Sequence, residues 1–185
     1  YLTVRINFTN IIASFSSLPV VLQNVPDNFK FHVVQAISSL IMAVGEYVTG
    51  LEESLIPLIL QFINNDDTLT KSRGIEALAY IIENGRKIGG SRVTDSLQLF
   101  VECAKSEDCE LIQSGFTGLK AVASVSCDLL VPIEEILQVT SKVLENEIPQ
   151  DKECGVFYIL SDMKVAVLKF LSVFIRNTKE RSQEF

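Results

Sequence analysis

The sequence is poor in the residues that most often carry chemistry, with one histidine (His32), no tryptophan and four cysteines among 185 residues. The cysteines Cys103, Cys109, Cys127 and Cys154 stand at unequal spacings, and no CxxC pair occurs. A zinc site needs a tighter set of ligands, and a disulfide framework needs a denser set of cysteines. We therefore expect free thiols, no metal site and no cofactor.

Nucleophilic catalysis has little to draw on, because any Ser–His or Cys–His pair would have to use His32. The sequence contains no GxSxG elbow and neither of the GxxxxGK[ST] and GxGxxG phosphate loops. Acidic residues gather around 102–110 and 134–153, but they lack EF-hand spacing and suit turns and exposed helix starts. The sequence thus predicts that the protein is not an enzyme.

The charge balance is acidic, with 16 basic and 23 acidic residues and a net charge of −7. This balance argues against direct nucleic-acid binding and suits basic protein partners. The mean hydropathy of +0.30 is high, yet the most apolar long stretch, residues 154–175, carries Asp162, Lys164 and Lys169. We expect no membrane insertion. No signal peptide is visible after Tyr1, and we interpret the chain as a piece of a longer protein whose ends meet neighbouring structure.

Apolar residues recur at steps of three and four along nearly the whole chain, as in the stripe Val34, Ile37, Ile41 and Val44. This period is typical of amphipathic helices, and strict alternation of the kind that marks strands is not evident. Cap residues such as Asp67 stand in the breaks between stripes. The sequence predicts an all-α fold.

The stripes also repeat, because they coincide when the chain is shifted by 41 residues. In the predicted first helices the coinciding triplets are Phe15, Ile56 and Leu97, then Leu18, Ile59 and Phe100, then Leu22, Ile63 and Ala104. In the predicted second helices they are Val34, Ile75 and Phe116, then Ile37, Leu78 and Leu119, then Leu40, Ile81 and Val122. The turn between the two helices returns as Pro26, Asp67 and Asp108.

A period of about 40 residues with two helices per unit is typical of HEAT repeats. One such pair buries too little apolar surface to offset its chain entropy, so neighbouring pairs must stack. The sequence predicts an α-α superhelix of antiparallel helix pairs, a single segment over residues 1–185. Its units are 1–14 (the end of a preceding repeat), 15–50, 51–90 and 91–128 (three repeats at the 41-residue period) and 129–185 (a divergent fourth repeat).

One polar face of the second helices changes chemistry from unit to unit, while the core positions stay apolar. We predict that this face is a strip that contacts protein partners, with Arg73, Tyr80 and Lys87 as its main contacts, since Tyr and Arg are favoured in interfaces. The alternative is a plain solvated helix face. The strip comprises His32, Gln35, Met42, Glu46, Arg73, Glu76, Tyr80, Glu83, Lys87, Thr117 and Ser124, with Ser39, Ser114, Ala121 and Asp128 at equivalent positions.

Residues 51–85, LEESLIPLILQFINNDDTLTKSRGIEALAYIIENG, resemble a HEAT unit of the importin-β (karyopherin-β) nuclear transport receptors. The similarity lies in Pro57 within the first helix, an acidic turn, and Arg73 at the entry to the second helix. The order of segments is most similar to the middle of the transportin-SR and importin-thirteen branch, in which a Gly-Glu pattern, here at residues 44–47, precedes the Pro-containing helix. The resemblance continues over residues 115–144 and 162–178.

This resemblance implies a receptor that carries protein cargo through nuclear pores, with Ran-GTP controlling loading and release. The implied partners are cargo, Ran-GTP and nucleoporins, and the implied location is the cytoplasm and nucleus. The Ran-binding arch and the arginine-rich cargo helix of the family have no counterpart motif here, so no site residue carries over. The alternative is a static HEAT-repeat scaffold of a multiprotein complex, such as a phosphatase or a coat adaptor.

Overall fold

A computed structural model describes residues 25–45, 52–85, 90–130, 133–145 and 154–182 of the chain. The regular structure within these ranges is entirely helical, with no strand among them, which confirms the predicted all-α class. The elements in chain order are α1 (Asp27–Val44), α2 (Glu52–Ile63), α3 (Thr68–Asn84), α4 (Gly90–Ala104), α5 (Cys109–Val125), a short 3-10 helix (Cys127–Leu129), α6 (Ile133–Glu145) and α7 (Cys154–Ser182).

The helices α3 and α5 each begin directly after an aspartate that caps them. Asp67 accepts hydrogen bonds from the backbone N–H of Thr70 at 2.8 Å and from its hydroxyl at 2.6 Å. These bonds lower the pKa of the Asp67 carboxyl below its ordinary value. Asp108 accepts from the N–H groups of Glu110 and Leu111 at 2.9 and 3.1 Å. Both caps satisfy backbone donors that the first helical turn leaves without a partner.

The helix α1 begins after Pro26, so the first residues of α1, α3 and α5 lie at 41-residue intervals. The backbone N–H of Phe29 donates to the carbonyl of Pro26 at 2.9 Å, and Lys30 pairs with Asp27 at 2.6 Å. Gly45 ends the helix with a φ of 55°, a left-handed conformation that glycine adopts without the steric cost of a Cβ.

Alternate helices lie side by side, since α1 contacts α3, α3 contacts α5, and α5 contacts α7. The helix α2 packs on α3, α4 packs on α5, and α6 contacts α7. The helix α5 therefore has neighbours on three sides. Its residue Phe116 is fully buried, and the ring of Phe116 lies 5.9 Å from that of Phe170 on α7.

The core runs through these contacts as a continuous layer of apolar side chains. Val34, Ile75 and Phe116 are all fully buried, and each belongs to a different helix of the row. Removing one such side chain from water is worth roughly 1.5–3 kcal/mol, so the faces that neighbouring helices share contribute strongly to the stability of the fold.

The helix α1 differs from α3 and α5 on one face. Ile81 and Val122 are fully buried, whereas Leu40, at the equivalent position of α1, is 38% exposed. The difference arises because α2 covers this face of α3 and α4 covers it on α5, while no described helix covers it on α1.

Pro57 lies inside α2, where it removes one backbone hydrogen bond. The side chain of Pro57 is exposed. Within the ranges given above, no helix combines the length and the apolar character that crossing a membrane requires.

Several predicted residues fall outside the described part of the chain. They are Phe15, Leu18 and Leu22 of the first predicted helix, and Glu46 and Lys87 of the predicted contact strip.

Candidate protein-contact site

The members of the predicted strip on α1 are open to solvent. His32, Gln35 and Met42 are exposed, as is Ser39 between them. Phe31 packs its ring edgewise on His32, with 5.4 Å between the ring centroids. This part of the strip is available to a partner.

The strip is less exposed on α3, where Glu76 retains only 8% of its accessible surface and Arg73 and Tyr80 are half-buried. Ser114 and Ala121 on α5 are fully buried, so these two positions cannot contact a partner. Their burial follows from the place of α5 between α3, α4 and α7, which a repeat pattern in the sequence does not reveal.

The half-buried part of the strip lines a cleft of about 190 Å³ between α3, α5 and α7. Glu76, Tyr80 and Thr117 are the predicted strip residues that the structure brings together there. The other lining residues are Gln113, Lys120, Asp162, Val165, Ala166 and Lys169. The cleft is therefore mainly polar, with charges of both signs.

The carboxylate of Glu76 is held by Arg73, one helical turn away on α3. The guanidinium Nη1 donates to Oε2 at 2.7 Å, which leaves Oε1 without a hydrogen bond among the described residues. Burial alone would lower the pKa of Arg73, but the hydrogen bond and charge of Glu76, helped by the charge of Glu110, outweigh it and raise this pKa. The pair is therefore held in its charged form.

Tyr80 places its phenol in the cleft, close to two negatively charged carboxylates. Burial raises the pKa of Tyr80, and the negative charges of Glu76 and Glu83 raise it further against the opposing effect of Arg73. The hydroxyl group therefore stays protonated and can both donate and accept a hydrogen bond.

Lys120 connects two neighbouring helices at the rim of the cleft. Its ammonium group on α5 lies 2.9 Å from Oε1 and 3.0 Å from Oε2 of Glu83 on α3. Both side chains keep part of their surface in water. The ion pair therefore fixes the positions of the two side chains at the rim but adds little to the stability of the fold.

A second groove of about 530 Å³ adjoins the cleft and shares Lys120, Val165 and Lys169 with it. Its remaining lining residues include Leu168 and Val173 on α7, and Leu168 is an exposed apolar side chain. A polar cleft beside an exposed apolar surface is the composition of protein interfaces, which combine an apolar centre with hydrogen-bonding groups.

Sequence reasoning missed the residues that α5 and α7 contribute from outside the strip. Gln113 and Lys120 are two helical turns apart, as are Asp162 and Lys169. A search for polar side chains seven residues apart could have found both pairs. It could not have shown that they face one cleft, because α7 departs from the 41-residue register.

Among the described residues, the other chemistry-bearing side chains do not come together as a metal site. In the part of the chain that the structure describes, no three His, Cys, Asp or Glu side chains come together as metal ligands. Cys103, Cys109 and Cys127 are free thiols there, and burial raises the pKa of Cys103 to about 11. The side chain of Cys154 lies outside the described residues.

Comparison with protein-family models and with curated protein sequences finds no match to this chain. The site geometry itself defines what the surface can do. The cleft offers hydrogen-bonding groups, the charged side chains of Asp162 and Lys169, and an adjoining apolar groove. This arrangement can hold a segment of another protein.

Proposed function

We propose that this chain is a non-catalytic, protein-binding HEAT-type solenoid and that it forms the middle part of a nuclear transport receptor. In this role it carries protein cargo through nuclear pores under the control of Ran-GTP. The observation that carries the proposal is the row α1, α3, α5 and α7, with α2 on α3 and α4 on α5.

The contacts between the two helices of a pair support the solenoid part of the proposal. A Cβ added at Gly74 on α3 would lie 3.1 Å from the backbone nitrogen of Ile63 on α2. A Cβ added at Gly115 on α5 would lie 2.6 Å from that of Ala104 on α4. Both glycines and both contacted residues are 41 residues apart, so the same close approach recurs in two successive pairs. Repetition of one packing unit is how a stacked array forms.

The cleft supports the protein-binding part. It opens on the side of the row where α3, α5 and α7 present Tyr80, Thr117 and Lys169. The cleft thus offers a partner polar groups from three helices, and Tyr80 supplies a large contact area with a fixed hydrogen-bonding group.

The transport part depends on the resemblance of residues 51–85, 115–144 and 162–178 to the importin-β family. A pull-down of the full-length protein on immobilised Ran tests it. We expect binding to Ran loaded with a non-hydrolysable GTP analogue, no binding to Ran-GDP, and release of bound cargo when Ran-GTP is added. Equal behaviour with both nucleotides would contradict the proposal.

Tyr80→Ala tests the cleft within the same experiment. We expect the variant to retain less cargo than the wild type while keeping its nucleotide response. Glu145→Ala is the matched control, since Glu145 is exposed at the end of α6 and does not line the cleft. Equal cargo retention by both variants would place the contact elsewhere on the surface.

A static scaffold is the second candidate function, and hydrogen bonds between neighbouring helices favour it. Asn177 on α7 donates to the carbonyl of Ala123 on α5 at 2.9 Å, and Lys164 on α7 donates to that of Leu144 on α6 at 2.9 Å. Because these hydrogen bonds hold neighbouring helices in fixed positions, they favour a scaffold that keeps one shape. A scaffold predicts stable co-purification of fixed subunits and indifference to Ran.

A further inference from the structure

The outer face of α7 carries apolar side chains that are open to solvent. The inner face packs on α5, where the ring of Phe170 lies against that of Phe116. The outer residues follow one another at steps of three and four, so they share one side of the helix; we call them the α7 stripe, which comprises Val165, Leu168, Ser172 and Ile175. Val165 is 43% exposed, Leu168 56% and Ile175 61%. A helix face that meets only water is usually polar, so this stripe is the kind of surface that binds a partner.

Positive charges border the α7 stripe. The groove of about 530 Å³ runs beside it, and the described residues that line this groove include the lysines Lys120 and Lys169 but no carboxylate. Arg176 is exposed and lies two helical turns after Lys169, on the same border. Asp162 lies two turns before Lys169, ahead of the first residue of the stripe, and lines the cleft instead. The stripe is therefore a locally basic apolar surface on a chain whose net charge is −7.

Two lysines of this chain show which group meets a cation at a helix border. Lys120 on α5 lies 2.9 Å from Oε1 of Glu83 on α3. Lys105, directly after α4, pairs with Glu135 on α6. In both cases a carboxylate of another helix receives the ammonium group. The occupant that complements Lys169 and the stripe beside it is therefore a helix with apolar residues on one face and carboxylates at the edge of that face.

We propose that the α7 stripe binds an amphipathic helix of a partner protein whose apolar face is flanked by acidic residues. The stripe is about 15 Å long, which fits about three turns of such a helix. The partner packs its apolar residues on Val165, Leu168 and Ile175. Its carboxylates meet Lys169 and Arg176. The inference rests on the protein-binding part of the proposed function and not on transport.

Binding of two designed peptides to the full chain tests the charge preference. Both peptides have about 15 residues, long enough to form a helix, with leucines at steps of three and four. One peptide carries glutamates beside the leucines, and the other carries lysines at the same positions. We expect the glutamate peptide to bind about fivefold more tightly or better by fluorescence anisotropy, with a difference that shrinks at high salt. Lys169→Glu should remove or reverse this preference.

Leu168→Ser tests the apolar part of the contact. We expect this variant to bind the glutamate peptide about tenfold more weakly, because the leucine side chain is no longer buried by the partner. Leu168 is exposed in the free chain, so the variant should keep its fold, which circular dichroism checks. Leu60→Ser is the matched control, since Leu60 is an exposed leucine on α2 that does not line the groove, and it should bind like the wild type.

Equal binding of the two peptides, tighter binding of the lysine peptide, or binding of neither would overturn the proposal. Self-association of the chain that Leu168→Ser abolishes would assign the stripe to a second copy and would overturn it as well. The same holds for binding to vesicles of phosphatidylserine and phosphatidylcholine that this variant abolishes, which would assign the stripe to a membrane surface. These assays contain neither Ran nor cargo, so a failure here is distinguishable from a failure of the cargo and Ran pull-downs.

Discussion

The backbone of α5 at Gly115 passes so close to α4 that an added Cβ would lie 2.6 Å from the nitrogen of Ala104 and 2.8 Å from the carbonyl oxygen of Phe100. Real Cβ atoms essentially never approach other atoms so closely. Both obstacles are backbone atoms, which cannot move aside as a side chain can. The distance between α4 and α5 therefore depends on the absence of a side chain at this position.

Gly115→Ala should destabilise the protein in spite of the better helix propensity of alanine. The propensity gain is about 1 kcal/mol, whereas overpacking against backbone costs about 1–3 kcal/mol or more. Because the obstacles are backbone atoms, the upper end of the overpacking cost applies, and we expect a net loss of about 2 kcal/mol in the free energy of unfolding, measured by urea denaturation. Gly74→Ala is the control, since its contacts of 3.0 and 3.1 Å with Ile63 are looser. An equal loss in both variants would contradict this account.

Leu78→Asp should unfold the protein, because Leu78 is 3% exposed in the core between helices. An unpaired charge buried there costs several kcal/mol, a large fraction of the stability of a domain. Leu60→Asp is the matched control, because Leu60 on α2 is 41% exposed and its replacement can stay hydrated. Circular dichroism at 25 °C should show loss of helix for the first variant only. Retained helix in Leu78→Asp would mean that the buried face is wrongly assigned.

The fold class was predictable because helix signals are local in sequence. The stripe that contains Ile75, Leu78 and Ile82 repeats at steps of three and four. Asp67 and Asp108 can cap a helix whatever tertiary structure the helix joins. The structure places both aspartates directly before helices. Both features can be recognised without knowing which helices pack against each other.

The cleft was only partly predictable because it depends on distances between helices. Tyr80 and Thr117 could be placed on a polar face from their spacing. Lys120 reaches Glu83 only because α3 and α5 lie side by side, and Asp162 joins them only because α7 packs against α5 in a register that the repeat does not give. Glu76 reads as a surface residue in sequence, yet its ion pair with Arg73 allows it to be buried.

Glu76→Gln should cost more stability than Glu83→Gln, although both remove one charge from α3. The carboxylate of Glu76 is the more buried, and its loss leaves the half-buried Arg73, whose Nε has no hydrogen-bond partner among the described residues, without the carboxylate that it pairs with. We expect a loss of about 1–3 kcal/mol for Glu76→Gln and less than about 1 kcal/mol for Glu83→Gln. Urea denaturation of the two variants measures the difference. Equal losses would show that burial does not strengthen the Arg73 pair.

The thiol of Cys103 should make the protein less stable at alkaline pH. Burial raises its pKa from an ordinary 9.0 to about 11, with Glu102 adding to the rise and Lys71 opposing it. Between these two values the unfolded chain loses the proton while the folded protein keeps it, so ionisation favours unfolding. The contribution of this group is complete below pH 9 and disappears as the pH rises toward 11. We therefore expect the melting temperature of the wild type to fall more steeply between pH 9 and 11, the range between the two pKa values, than that of Cys103→Ala. The comparison cancels the other groups that titrate in this range, because both proteins share them.

Alkylation at pH 8 gives an independent check, since a buried thiol with a raised pKa reacts slowly. Mass spectrometry should find Cys103 modified only after denaturation, and rapid labelling of the folded protein at Cys103 would contradict its burial.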